Sequence, residues 1–140
     1  MTVQKWDSHS ELQTERLGAA FAAGLKSGDV VAMFGGMGMG KTAFVRGMAA
    51  GRGLTAEVSS PTYTLVHDYG GDPPLVHCDM YRIGGIDDLH STGFFDYLES
   101  GAILAVEWSE NIEQALPEGA WRLIFTKTGE NDREILLKRI

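Results

Sequence analysis

Asp29-Val30-Val31-Ala32-Met33-Phe34-Gly35-Gly36-Met37-Gly38-Met39-Gly40-Lys41-Thr42-Ala43-Phe44-Val45-Arg46-Gly47-Met48-Ala49-Ala50 is the stretch whose reading decides the fold. Its first six residues form a short apolar, partly β-branched run, the pattern of a buried strand. Its last nine are helix-like and stop near Gly51 and Gly53. Between them, residues 35–42 match G-x-x-x-x-G-K-T, the phosphate-binding loop pattern. The glycines let successive backbone N–H groups turn inward around phosphate oxygens. Gly36, Met37, Gly38, Met39 and Gly40 are therefore expected to line a nucleotide phosphate chain. Lys41 would reach the β and γ phosphates, and the Thr42 hydroxyl would ligate Mg²⁺. A strand, a glycine loop and a helix in this order place phosphates on a helix N-terminus.

Upstream, Ser10 with Gln13 forms a possible capping box. Leu12, Leu17, Ala20, Phe21 and Leu25 then predict a helix reaching about Lys26. Downstream, residues 62–69 and 75–79 read as strands separated by the turn cluster Gly70-Gly71-Asp72-Pro73-Pro74. Residues 84–101 hold one or two short helices. Ala102-Ile103-Leu104-Ala105-Val106 is the most apolar run and predicts a central strand. A short helix over 111–116 is stopped by Pro117. Two closing strands, 121–128 and 133–140, flank the turn Gly129-Glu130-Asn131-Asp132. The expected architecture is a three-layer α/β, P-loop NTPase-like fold. Its sheet is mainly parallel with antiparallel edge strands.

The 140 residues suffice for one domain, 1–140, with a real core, and a 44% hydrophobic, 22% charged composition is ordinary for a globular protein. No run of about 18 apolar residues exists, and the N-terminus lacks the apolar core of a signal peptide. A lone cysteine, Cys78, suits a reducing compartment, so a cytoplasmic protein without membrane contact is expected. The net charge of −7 argues against a broad nucleic-acid surface, which needs clustered cations.

A phosphate loop needs a carboxylate near its metal, and two apolar runs end in one. Glu107 closes the run that begins at Ala102, and Asp79 closes the run that begins at Leu75. Either can hold Mg²⁺ directly or through water, leaving the other to orient the attacking water. Ser59-Ser60-Pro61-Thr62-Tyr63-Thr64 reads as a switch loop whose hydroxyls, Thr62 among them, sense γ phosphate or metal, or as a Ser/Pro turn. His77 fits either a phosphate contact or a hydrogen-bonded structural histidine. Cys78 lacks metal-ligand spacing and reads as packing. Thr126-Lys127-Thr128-Gly129 lacks the Asp of a guanine-reading segment, which favours ATP. Base contacts are placed around Glu11.

Four separated motifs then agree with one family. Residues 35–42, Ser60-Pro61-Thr62-Tyr63-Thr64-Leu65-Val66, His77-Cys78-Asp79-Met80-Tyr81-Arg82 and Val106-Glu107-Trp108 resemble the bacterial ATPase subunit of the tRNA threonylcarbamoyladenosine biosynthesis machinery. The similarity covers roughly residues 10–128. The resemblance implies a small ATPase, weakly active alone. It would bind a complex of two ASKHA-fold partners, one of which transfers a threonylcarbamoyl group to the adenosine beside the anticodon. ATP hydrolysis would reset that complex, and tRNA would be reached through the partners. By match, Lys41 and Thr42 bind phosphate and Mg²⁺. Glu107 is the second metal carboxylate, and Asp79 acts in catalysis on the γ-phosphate side. Residues 60–64 and 77–82 are the two switches, and Trp108 is a conformational or partner contact. The chain departs from the family pattern at Gly36, where Asp is frequent, at Met37 and Met39, and at Ser109, where Pro is common. Two other readings share the phosphate loop. A small-molecule kinase would need an arginine-bearing lid, and the seven arginines form no such cluster. A nucleotide-dependent binding switch would hydrolyse little.

Overall fold

The computed structural model describes residues 2–55, 58 and 65–139. All seven described strands join one sheet: β1 (Thr2–Ser8), β2 (Val30–Phe34), β3 (Val66–Asp68), β4 (Leu75–Asp79), β5 (Ile103–Glu107), β6 (Trp121–Lys127) and β7 (Arg133–Arg139). Their spatial order is β1-β7-β6-β2-β5-β4-β3. The inner pairs β6/β2, β2/β5 and β5/β4 are parallel. The outer pairs β1/β7, β7/β6 and β4/β3 are antiparallel. This is the parallel centre with antiparallel edges that interleaved helices and strands, followed by a closing hairpin, lead one to expect.

Helices α1 (Glu11–Ala22) and α2 (Lys41–Gly51) cover one face of the sheet. Helices α3 (Ile86–His90) and α4 (Phe94–Ser100) and a 3₁₀ segment, Ser109–Ala115, cover the other. The period of two along each strand sorts the core. On β5, Ile103 and Ala105 join the α1/α2 cluster, while Leu104 and Val106 join the opposite one. Burial of large side chains such as Phe44 on one face and Phe94 on the other stabilises the layers by roughly 1.5–3 kcal/mol each. The same alternation decides where the polar groups fall. His77 and Asp79 share their face of β4 with Leu75, and Glu107 shares its face of β5 with Ile103 and Ala105. All three carry their side chains toward α2.

Helix α1 starts as expected: the Ser10 hydroxyl accepts from the Gln13 N–H at 3.1 Å. The Gln13 side chain accepts from the His9 N–H at 2.7 Å, one residue before the cap. The helix ends at Ala22 rather than Lys26, and Leu12 is 54% exposed, so the apolar stripe starts later than the sequence suggests. What faces α2 is small instead. A Cβ on Gly47 would lie 1.8 Å from the Glu15 carbonyl oxygen, and one on Gly18 2.2 Å from that of Phe44. The two helices touch backbone to backbone, which fixes the axis of α2 and so the direction of its N-terminus. Two further differences are local. Residues 109–115 form a 3₁₀ segment where a short helix over 111–116 was expected. An additional edge strand, β1, pairs antiparallel with β7, and its Trp6 stacks on Phe44 of α2 at 6.3 Å. Of the strand expected over 62–69, residues 62–64 lie outside the described residues, as does the whole segment 59–64 with Thr62.

Candidate nucleotide-binding site

The parallel strands β2, β4 and β5 end on one edge of the sheet, the edge where open α/β folds bind ligands. The chain leaves β2 through the glycine loop, in which Gly35, Gly38 and Gly40 adopt φ of 135°, 71° and 97°. These left-handed values are strained for any residue with a Cβ and turn the loop back on itself to start α2. Gly40 is the N-cap of α2, with no side chain capping it, so the first N–H groups of α2 face the loop unclaimed by a cap. The loop and its surroundings line a cavity of about 680 Å³. Met37, Gly38, Met39, Gly40, Lys41 and Thr42 form its floor, Asp79, Tyr81, Glu107 and Trp108 one wall, and Ser10, Glu11, Glu130, Asn131 and Arg133 the other. Gly36 belongs to the loop but does not line the cavity.

The parallel register of β4 and β5 sets Asp79 directly beside Glu107. Both are buried, at 7% and 4% exposure, an arrangement that costs free energy unless partners compensate. Glu107 has them. Its Oε2 accepts from the Thr42 hydroxyl at 3.0 Å, and its Oε1 from the same hydroxyl at 3.3 Å. His77 Nε2 lies 2.5 Å from Oε2. Asp79 Oδ1 accepts from the Tyr81 N–H at 2.9 Å, which turns the chain sharply after β4. Asn111 Nδ2 donates to the carbonyls of Met80 and Tyr81 at 2.8 and 3.1 Å and ties that turn to the 3₁₀ segment.

Lys41 is buried at the start of α2. Its ammonium donates to the Gly35 carbonyl at 2.6 Å and lies 4.1 Å from the centroid of the Trp108 ring. Burial pulls its pKa below the usual lysine value, and the charges of Glu107, Glu110 and Asp79 oppose that pull. Trp108 holds a left-handed backbone, φ 59° and ψ 41°, a conformation that costs a non-glycine residue roughly 1–2 kcal/mol. Its ring packs on Tyr81 at 4.9 Å. Such strain beside a buried charge cluster is the pattern of a functional turn.

Glu11 lines the cavity, yet its carboxylate is committed to the Arg46 guanidinium at 3.0 Å, which Glu15 also binds at 2.9 Å. His77 is fully buried, does not line the cavity and turns inward to Glu107, so of its two readings the structure places it as an internal hydrogen-bonding group. Cys78 points to the opposite face. Burial, aided by the charge of Asp79, pushes its thiol up to about 12, so it is not a nucleophile at neutral pH.

Two residues had no signal in the motifs. Arg133, at the start of β7, donates from NH2 to the Gly38 carbonyl at 3.0 Å. Its NH1 contacts carbonyls of the hairpin turn, with Asp132 at 2.9 Å, so the turn and the phosphate loop are joined. Glu110 accepts from the Gly35 N–H at 3.0 Å at the other end of the loop. Both are long-range contacts, 95 and 75 positions from the loop residues they meet.

Thr42 and Glu107 supply hard oxygen donors of the kind that hold Mg²⁺. Among the described residues no group of three or more His, Cys, Asp or Glu is placed to hold a metal. Also among the described residues, no helix is long and apolar enough to cross a membrane.

Fold and site together define a small protein of the P-loop NTPase-like class. Residues 8–135 match the family model described as threonylcarbamoyl adenosine biosynthesis protein TsaE, and the chain belongs to that family. It is 36% identical to the tRNA threonylcarbamoyladenosine biosynthesis protein TsaE of Bacillus subtilis, over 94% of this chain and 82% of the relative. It is 34% identical to the protein of the same name from Treponema pallidum, over 91% and 95%. A crystal structure of YdiB from Bacillus subtilis superposes with a TM-score of 0.83 at 31% identity, covering 99% of this chain and 86% of that one.

Proposed function

We propose that this protein is a Mg²⁺-dependent ATPase required for threonylcarbamoyladenosine modification of tRNA next to the anticodon. It hydrolyses ATP to ADP and phosphate within a cytoplasmic complex with two ASKHA-fold partner proteins. The observation that carries the ATPase reading is the convergence on one cavity of an uncapped glycine-loop helix, Lys41, the Thr42–Glu107 pair and Asp79. The tRNA-modification role follows from family membership and from the names its relatives bear.

In this reading the loop N–H groups of residues 37–42 and the Lys41 ammonium take the phosphate chain, at a helix N-terminus that favours negative charge. Thr42 and Glu107 would hold Mg²⁺, which would offset the negative charge that develops on the phosphate during transfer. Asp79, one rung across from Glu107, accepts a hydrogen bond from the attacking water and orients it on the γ phosphate. Trp108, Tyr81 and Met39 add apolar surface to the cavity lining. The net charge of −7 suits a subunit that binds proteins and reaches tRNA through its partners.

The test is Mg²⁺-dependent ATP hydrolysis by the purified protein, alone and with both partners, with GTP as control. Slow hydrolysis alone, stimulation by the partners and preference for ATP are expected. Transfer of phosphate to an added metabolite, faster than hydrolysis, would replace this reading with that of a kinase.

A further inference from the structure

We infer that Tyr69 and His77 form a positioning pair that holds Glu107 in the orientation a divalent cation requires. This rests on the nucleotide-binding reading above and adds to it the residues that preorganise the cation site.

His77 is fully buried in the middle of β4, a costly place for an imidazole unless both ring nitrogens are satisfied. Both are: Nε2 lies 2.5 Å from Glu107 Oε2, and Nδ1 lies 2.8 Å from the Tyr69 hydroxyl. A carboxylate only accepts, so the proton between His77 and Glu107 belongs to Nε2. In the neutral imidazole Nδ1 then accepts from the Tyr69 O–H, and the donors run from tyrosine through histidine to carboxylate.

The sheet makes this contact possible. His77 pairs in register with Ala105, one side-chain step before the Asp79/Glu107 rung on the same face. The methyl group of Ala105 leaves room for the imidazole to lean along the sheet toward Glu107. Tyr69 arrives from the other side: its N–H donates to the Leu75 carbonyl at 2.9 Å, so the hairpin joining β3 to β4 fixes its backbone. Its ring lies 5.8 Å from that of His77.

The consequence falls on the two Glu107 oxygens. Oε2 is held from two directions, by His77 and by Thr42 at 3.0 Å, while among the described residues Oε1 has only the longer 3.3 Å contact to Thr42. One oxygen is anchored more firmly than the other, in a side chain that lines the cavity. A glutamate held this way has lost its rotamer freedom before a cation arrives, and so binds it with less ordering cost. Groups that orient a metal ligand typically change affinity by about 10–100-fold when removed.

The test measures the gain in fluorescent-ATP affinity on replacing EDTA by Mg²⁺, in wild type, His77→Gln, His77→Leu and Tyr69→Phe, with folding followed by circular dichroism. Glutamine places an N–H near the position of Nε2, so His77→Gln should keep most of the gain. His77→Leu should lose about 10–100-fold of it with affinity in EDTA unchanged. Tyr69→Phe, which keeps the ring and loses only the hydroxyl, should lose a smaller part, and it decides the matter if His77→Leu is unfolded. A full Mg²⁺ gain in a folded His77→Leu, or in Tyr69→Phe, overturns the positioning role while ATP binding by wild type stands. Parallel loss of affinity with and without Mg²⁺ overturns it too. Absence of a Mg²⁺ gain in a wild type that still binds ATP overturns this inference, whereas absence of ATP binding with and without Mg²⁺ overturns the nucleotide-binding reading as well.

Discussion

The ammonium of Lys41 lies 4.1 Å from the centroid of the Trp108 ring while it donates to the Gly35 carbonyl. The group expected to meet phosphate is thus already engaged, by an aromatic face and a loop carbonyl, and a polyphosphate would compete for it. Trp108 is the reporter of that exchange, since Trp6 and Trp121 pack beside Phe21 in the layer between α1 and the sheet and do not line the cavity.

Mg²⁺-ATP is therefore expected to change tryptophan emission, and Trp108→Phe to remove the change while binding persists. A fluorescence titration of both proteins checks this. An equal signal in the variant would mean that Lys41 does not leave the ring.

Lys41→Met separates stability from function. Burial lowers the Lys41 pKa against the pull of three carboxylates, so carrying the charge costs the folded state. The sign follows from proton binding. Between the depressed native pKa and the ordinary 10.5, the unfolded chain binds more protons, so stability rises with pH in that window. The penalty is complete below the native pKa and relieved as pH climbs through it. Lys41→Met should leave the melting midpoint unchanged or raised near neutral pH, with its advantage shrinking toward pH 10.5. The same change should slow hydrolysis by roughly 100-fold or more, the scale of losing a preorganised charge at the transition state. Thermal melts across pH and a single-turnover assay measure the two effects.

Gly47→Ala tests the helix contact that aims the site. The new Cβ would sit 1.8 Å from the Glu15 carbonyl oxygen, a backbone atom that cannot rotate away. Helices α1 and α2 must separate, at a cost of about 1–3 kcal/mol or more. Urea unfolding should show a lower midpoint with little change in slope, and nucleotide affinity should fall because the start of α2 moves.

Much of this was legible in the sequence, for reasons that can be named. The strands at 75–79 and 103–107 are continuous apolar runs because both of their faces are covered, and each ends in the carboxylate that the register then sets side by side. The glycine loop was legible because its backbone values exclude most other residues. Strand β1 was not, since Val3 and Lys5 are exposed and only Trp6 and Ser8 pack inward, leaving no alternation to read. The contacts of His77 with Glu107 and of Arg133 with Gly38 join residues 30 and 95 positions apart, and only the sheet order creates them. Glu11 lines the cavity, and its pairing with Arg46 depends on how closely α1 meets α2.

Arg133 joins the β6–β7 turn to the phosphate loop through the Gly38 carbonyl. Hydrogen bonds from a charged donor are worth about 1.5–3 kcal/mol, so Arg133→Ala should weaken nucleotide binding by roughly tenfold or more. Arg133→Lys should not restore it, because a single ammonium cannot span the turn carbonyls and Gly38 together. Calorimetric titration of the two variants would check both statements, and full rescue by lysine would reduce the contact to one of charge.

Asp79 and Glu107 share a rung of the sheet but not an environment, and this difference predicts different kinetics. Glu107 is bonded to Thr42 and His77, which in the proposed function puts it with the metal. Asp79 accepts from the Tyr81 N–H in the turn after β4, and it lines the cavity together with the exposed Tyr81 and Arg82. Glu107→Ala should remove the Mg²⁺-dependent part of nucleotide affinity together with turnover. Asp79→Asn keeps the acceptor for the Tyr81 N–H and so should leave affinity within a few-fold, while turnover falls by roughly 10²–10⁴, the range for losing a positioned base. Binding and single-turnover rates measured on both variants decide the assignment. If Asp79→Asn loses Mg²⁺-dependent binding and Glu107→Ala loses only turnover, the two carboxylates exchange roles.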